Sequence, residues 1–273
     1  IVLLNIFGTG KVSKVVMVIV IITLFILVSL EIGAIPYFDV NNLNNMFPAG
    51  AQGLFTTASY VFVSFAGVTK VAAIAEEIRN PEKNLPRGIL LSLLIVTSLY
   101  CSITFILAGC FASEELAGSY KPLYHLGLLV GKKTGGIILA IIGIICTTSM
   151  ANTGLLAASR FPFAMSRDKL VPKILGHLNP KFLTPIVSII LSGIIVALSI
   201  TFLNIEAIAK LASAFILLIY VTENIAVIVL RETRVQWYRP TYKVPLYPFT
   251  PLFGIACGCL LLSYLGFLII LIN

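Results

Sequence analysis

Apolar residues fall in seven long runs along the chain, at 15–35, 50–75, 88–111, 135–158, 184–203, 211–230 and 250–272, with short polar loops between them. A bilayer core about 30 Å thick needs roughly 20 residues of helix rising about 1.5 Å each, and all seven runs meet that test. Soluble helices of this kind would have to hide every run behind almost no polar face, which a water-exposed domain cannot do. The pattern therefore predicts an all-α polytopic membrane protein with seven transmembrane helices in one domain over 1–273. A further short helix on the outer surface is expected between the third and fourth runs, over 120–129.

Composition supports this reading. Hydrophobic residues make up 59% of the 273 positions, charged residues 11%, and the mean hydropathy is +1.04. The net charge of +8 would suit a nucleic-acid partner if it were gathered on one face, but the cations lie in loops between apolar runs. Lys11 and Lys14 precede the first run; Arg79, Lys83 and Arg87 follow the second; Arg160, Arg167, Lys169, Lys173 and Lys181 follow the fourth; Arg231, Arg234, Arg239 and Lys243 follow the sixth. The remaining cations are Lys121, Lys132, Lys133 and Lys210 in the opposite loops and Lys70 inside the second run. By the positive-inside rule the residue 1 side is cytoplasmic and the residue 273 side external, as in a multi-pass protein of the plasma membrane. The charge encodes topology, and no nucleic-acid partner is expected.

Several chemistries are excluded by what the runs contain. Cys101, Cys110, Cys146, Cys257 and Cys259 all lie in or beside apolar runs, which argues against a disulfide framework, and the Cys257-x-Cys259 pair has no His or acid near it to complete a metal site. His125 and His177 fall in loops, and no nucleophile, base or paired-carboxylate spacing appears at membrane depth. No enzyme chemistry, metal or cofactor is expected. No charged segment and cleavage site precede the first run, so no signal peptide is expected, and the first residue, Ile1, is that of a partial chain.

Three places carry candidate chemistry. The second run contains Val63, Ser64, Phe65, Ala66, Gly67, Val68, Thr69 and Lys70, a turn-like stretch of small residues tolerated in hydrocarbon only where it is buried or lines a cavity. A break at Gly67 would free N–H groups for a carboxylate and C=O groups for an ammonium, the two ends of a zwitterion; the other reading is a glycine that lets a neighbouring helix approach closely. Lys70 either snorkels toward the cytoplasm, pairing with Glu77, or acts on substrate or ion. In the fourth run Thr147, Thr148, Ser149, Asn152 and Thr153 cluster, and Thr148 and Asn152 share a face at i and i+4. Their oxygens suit a hard monovalent cation such as Na+, or they bond their own preceding carbonyls. In the sixth run Tyr220, Glu223 and Asn224 lie together, with Glu223 expected to pair with a loop arginine or with Lys70.

The loops carry a family resemblance. Glu76-Glu77, Asn80-Pro81 and Pro86-Arg87 look like the E-E-x-x-N-P-x-x-x-x-P signature of amino-acid permeases, with Pro81 opening a short cytoplasmic helix capped by Asn80. Ser159-Arg160, Met165-Ser166-Arg167-Asp168, Pro172, Asn179-Pro180 and Thr184-Pro185 are similar to a second loop of that family, and Arg239-Pro240, Lys243, Pro245, Tyr247 and Pro248 to a third. In this order the chain resembles the amino-acid permeases of the amino acid/polyamine/organocation superfamily over essentially its whole length.

That resemblance implies the leucine-transporter-like fold, two inverted five-helix repeats each opened by a broken helix. Asn5 to Gly8 then resemble the loop before the fifth helix, runs two to six the second repeat, and run seven the eleventh helix. The N-terminal helices of the same transporter, which supply the other half of the substrate site, are the implied partner. The implied function is secondary active transport of amino acids or related amines by alternating access, with polyamine or inorganic-ion carriers as same-fold alternatives and a membrane receptor or enzyme as a further one. The implied substrate site is Val63 and Phe65 to Lys70; Val63 and Thr69 stand where some relatives carry a bulky aromatic and a glutamate. The first run has no lysine and places Thr23 near the expected ion site, which leaves Na+ or H+ as coupling ion. Without its partner repeat the chain is expected not to transport.

Overall fold

The computed structural model describes residues 2, 12–45, 50–67, 71, 78–117, 119–179, 184–236, 238, 240 and 242–266. The helices are α1 (Val12–Ala34), α2 (Gly50–Val61), α3 (Pro81–Cys110), α4 (Ser113–Ala117), α5 (Pro122–Arg167), α6 (Ile186–Phe202), α7 (Ile205–Glu232) and α8 (Phe249–Tyr264), and the described residues hold no strand. The chain forms two compact units, Ile1–Met46 with Leu94–Leu198 and Phe47–Leu93 with Ser199–Asn273.

The first unit is built on α1, the second part of α3, and α5. Leu30 and Ala34 of α1 meet Ile103 and Leu107 of α3 and Leu126 and Leu139 of α5 in a buried cluster. The Asn-rich turn after α1 is tied to the end of α3: the Asp39 N–H and the Asn42 side-chain amide both donate to the Gly109 carbonyl, at 2.9 and 2.8 Å. Gly109 has to be glycine, since a Cβ there would lie 2.1 Å from the Phe38 ring. Glu31, an acid inside the first run, accepts a hydrogen bond from Ser102 of α3 at 3.0 Å, so its carboxylate has a partner at membrane depth.

The expected short helix before the fourth run is present, but it is folded onto that run. Gly131 and Lys132 leave helical geometry within α5, with Lys132 at φ 52°, and the stretch 122–130 turns back along the rest of the helix. Gly127 and Gly135 meet at the fold, where a Cβ on Gly135 would lie 2.3 Å from the Gly127 carbonyl oxygen. The helix then continues to Arg167, past the expected end at 158, so Arg160 and Arg167 stand on a helix. The following loop folds back on it, with the Ser166 hydroxyl donating to the Pro172 carbonyl at 2.9 Å and that of Ser188 in α6 to the Leu175 carbonyl at 2.8 Å.

The second unit centres on α7, packed against α8 and α2. Ala214 and Leu217 of α7 and Leu261, Leu262 and Leu265 around the end of α8 form its core, joined by Phe55, Ala58 and Phe62. Gly258 of α8 admits Val221, whose Cγ2 would lie 2.4 Å from any added Cβ.

Three sequence expectations stand differently against the described residues. Four helical segments are long and apolar enough to cross a membrane, Met17–Tyr37, Pro81–Cys110, Pro122–Arg167 and Ile205–Glu232, while α6 and α8 are shorter apolar helices. The count of seven full-length helices is thus not reproduced among the described residues: α6 begins only after Pro185 and its 17 residues rise about 26 Å, α8 is described only as far as 266, and the second run is interrupted. Second, the helix opened by Pro81 is not short. It runs unbroken through Pro86 into the third span, because a proline in the second turn removes a single donor near the surface. Asn80 itself adopts φ 48° before it. Third, Lys70, Glu76, Glu77, Pro180, Lys181, Arg239 and the loop Asn5 to Gly8 lie outside the described residues.

Candidate functional site

The second run departs from α-helix where its small residues begin. α2 ends at Val61, and Phe62–Phe65 form a 3-10 segment in which the Ala66 N–H reaches back three residues, to the Val63 carbonyl at 3.2 Å. A tighter turn re-aims the following carbonyls away from the helical ladder and requires other donors for them. α7 supplies two. The Ser213 hydroxyl donates to the Tyr60 carbonyl at 3.0 Å, and the Tyr220 hydroxyl to the Phe65 carbonyl at 3.1 Å. The Tyr220 ring also packs edge-on against Phe62 at 6.1 Å, and the Asn224 side-chain amide donates to the Tyr220 carbonyl at 2.8 Å.

Gly67 follows this segment and is exposed. A Cβ added to it would meet no atom within 4 Å, so no close helix contact among the described residues accounts for the glycine. Among the described residues, none packs against Gly67 as the packing-glycine reading would require. Of the other substrate candidates, Val63, Phe65 and Ala66 are half-buried beside it, whereas Val68, Thr69 and Lys70 lie outside the described residues.

The ion-coupling candidates all belong to the first unit. Thr23 donates to its own Ile19 carbonyl at 2.8 Å and lies 3.4 Å from the Cys146 sulfur, which puts α1 against the polar turn of α5. Ser149 stands three residues after Cys146 and Asn152 three residues after Ser149, so they follow one another along α5, and Thr148 shares a face with Asn152. Thr147 and Thr153 take the local option and bond carbonyls one turn back, at 2.7 and 3.1 Å. Thr148 is exposed and Ser149 half-buried, and neither side-chain hydroxyl makes a hydrogen bond among the described residues. The structure thus brings Thr23 to Cys146, one turn before Ser149 on α5.

Sequence reasoning grouped Tyr220, Glu223 and Asn224 but missed the role of Tyr220. An intramembrane tyrosine was the available signal, since a hydroxyl at membrane depth needs an acceptor. Glu223, expected to pair with a loop arginine, is exposed and pairs with neither Arg231 nor Arg234; Lys70 and Arg239 lie outside the described residues. We expect Tyr220→Phe to cost about 1 kcal/mol of stability, the net worth of one hydrogen bond, and to raise the KM for uptake more than it lowers the maximal rate. Thermal melts in detergent and uptake kinetics in proteoliposomes measure the two effects.

Comparison with known proteins places these features in a family. The sequence pattern of the family described as "Amino acid permease" matches residues 1–272. Among individual relatives, the "Methylthioribose transporter" of Bacillus subtilis is 33% identical over 251 residues, covering 92% of this chain and 52% of the relative. The "Branched-chain amino acid permease BcaP" of the same organism is 33% identical over 247 residues, 90% of this chain and 53% of the relative. The "Serine/threonine exchanger SteT", also from Bacillus subtilis, is 32% identical over 202 residues, 71% of this chain and 44% of the relative. The chain spans about half the length of the curated relatives it matches. With that match along 1–272 and its long apolar helices, the chain is part of an integral membrane protein and belongs to the amino acid permease family.

Proposed function

We propose that the protein carrying this chain is a secondary transporter, not an enzyme, which moves amino acids or related amines across the plasma membrane by alternating access. The observation that carries this reading is the interrupted second span in a chain of this family: the backbone leaves α-helix at Phe62–Phe65, and no atom of the described residues lies within 4 Å of a Cβ added at Gly67. Backbone N–H and C=O groups beyond the break suit the carboxylate and ammonium of one substrate, and Val63, Phe65 and Ala66 supply apolar surface beside them. In this reading Val68, Thr69 and Lys70 continue the site, and the first broken helix, on N-terminal helices outside this chain, completes it. Residue 1 faces the cytoplasm and residue 273 the outside.

The names of two relatives, a branched-chain amino acid permease and a serine/threonine exchanger, support an amino-acid substrate. A second reading, transport of a thioether sugar, is favoured by one observation, the 33% identity to a methylthioribose transporter. Uptake of labelled leucine, serine, lysine and methylthioribose by the complete protein in liposomes, under a sodium or a proton gradient, separates the two. Concentrative uptake of an amino acid is expected; uptake of methylthioribose alone would overturn the substrate class.

For coupling, we assign the ion to oxygens of Thr23, Thr148, Ser149 and Asn152. Thr148→Ala and Asn152→Ala are expected to weaken the dependence of uptake on the sodium or proton gradient by about tenfold, the loss of one ligand worth roughly 1.4 kcal/mol, with little effect on melting temperature. Unchanged gradient dependence in both variants would assign the cluster to helix packing.

A further inference from the structure

The end of α7 and the turn that follows it form an open cavity of about 640 Å³, lined by Leu230, Arg231, Arg234, Val235, Tyr238 and Lys243 among others. This lies in a ligand's size range. Cations after a membrane helix ordinarily fan out into water, where they serve topology and the helix dipole. Here three converge on one concavity that, among the described residues, no carboxylate lines.

The arrangement is built from the backbone upward. Arg234 adopts φ 48°, a sparsely populated conformation for a residue with a side chain, and turns the chain just after the helix. Arg231 stacks over the Tyr247 ring at 4.6 Å, which fixes the plane of its guanidinium and leaves the in-plane N–H donors available. Tyr247 is itself held by its hydroxyl, which donates to Glu232 at 2.7 Å. That bond, with the nearby carboxylate charge, pushes the phenol above its ordinary range, so it remains a donor to Glu232 at neutral pH. Glu232, next to Arg231 in the chain, is thereby engaged by Tyr247. Arg234 and Lys243 have no acidic partner among the described residues.

We propose that this cavity binds the phosphate of an anionic phospholipid headgroup. A phosphodiester matches the cations, since guanidinium groups take its oxygens through parallel N–H donors. Leu230 and Val235 form an apolar wall beside them, suited to the glycerol and first acyl carbons. The surface beyond is apolar as well: Val229, one residue from the lining, is 51% exposed, and Phe249, two residues from Tyr247, is 74% exposed. A soluble phosphate would use the cations alone; a phospholipid uses both walls, with its chains continuing along the helices into the bilayer.

Native mass spectrometry of the complete protein, titrated with phosphatidylglycerol, phosphatidylcholine and inorganic phosphate, tests this. Phosphatidylglycerol should bind at least tenfold more tightly than phosphatidylcholine, and millimolar inorganic phosphate should not displace it. Arg234→Gln and Lys243→Gln should each weaken it about fivefold, and the double variant roughly thirtyfold, at about 1 kcal/mol per cation. Lys169→Gln with Lys173→Gln, in another cationic loop, should change it less than twofold. Equal losses in both pairs would reduce the effect to general surface charge and overturn the proposal. So would full displacement by inorganic phosphate, equal binding of the two lipids, or unweakened binding in the single variants.

Discussion

Replacing Gly67 by leucine is expected to lower amino-acid uptake by about a hundredfold, because a side chain seated where substrate atoms belong costs roughly 3 kcal/mol of binding. The protein should still insert and keep its melting temperature, since a Cβ at Gly67 meets no atom within 4 Å among the described residues. That separation of binding from stability distinguishes a substrate glycine from a packing glycine. A packing glycine would show the opposite pattern, a large loss of stability whose effect on uptake follows the loss of folded protein. Gly67→Ala places a single methyl group in the same space and should lose less uptake than Gly67→Leu. Wild-type uptake by Gly67→Leu would remove this stretch from the site.

Gly135→Ala should have the largest effect on stability, a loss of about 3 kcal/mol or more. Its Cβ would lie 2.3 Å from the Gly127 carbonyl oxygen, and a backbone atom cannot rotate away as a side chain can. The fold of 122–130 onto the rest of α5 would have to open, disturbing the contact of Leu126 and Leu139 with α1 and α3. Gly143→Ala, in the same helix, is the control: nothing lies within 4 Å of its Cβ, so the substitution should stabilise by up to about 1 kcal/mol through helix propensity alone. Thermal melts of the two variants in one detergent decide it, and equal melting temperatures would contradict the described packing.

Much of the architecture was legible because hydropathy is summed along the chain. The run at 211–230 reads as a helix from its residues alone, and α7 contains it with a few residues more at each end. For the second run the sequence pointed to a break at Gly67, from the small side chains of Ser64, Ala66 and Gly67, and the structure leaves α-helix a few residues earlier, at Phe62–Phe65. Helix ends were harder to read. The third span begins at Pro81, not 88, and α5 runs on to Arg167, because a helix that leaves the membrane can continue through polar residues that hydropathy marks as loop.

The sequence by itself determined that this is a helical membrane protein, with its cations gathered in alternate loops and its loops matching the amino acid permease family. Only the tertiary structure decided which groups satisfy the interrupted span. The Phe65 carbonyl takes its hydrogen bond from Tyr220, 155 positions away, and the Tyr60 carbonyl from Ser213, 153 positions away. The same holds for the close approach at Gly135 and the open space at Gly67, two glycines that look alike in the sequence. Hydropathy and propensity are properties of neighbouring residues and survive in the sequence. Hydrogen-bond partners and free volume depend on which helices pack together, and that is settled only when the chain folds.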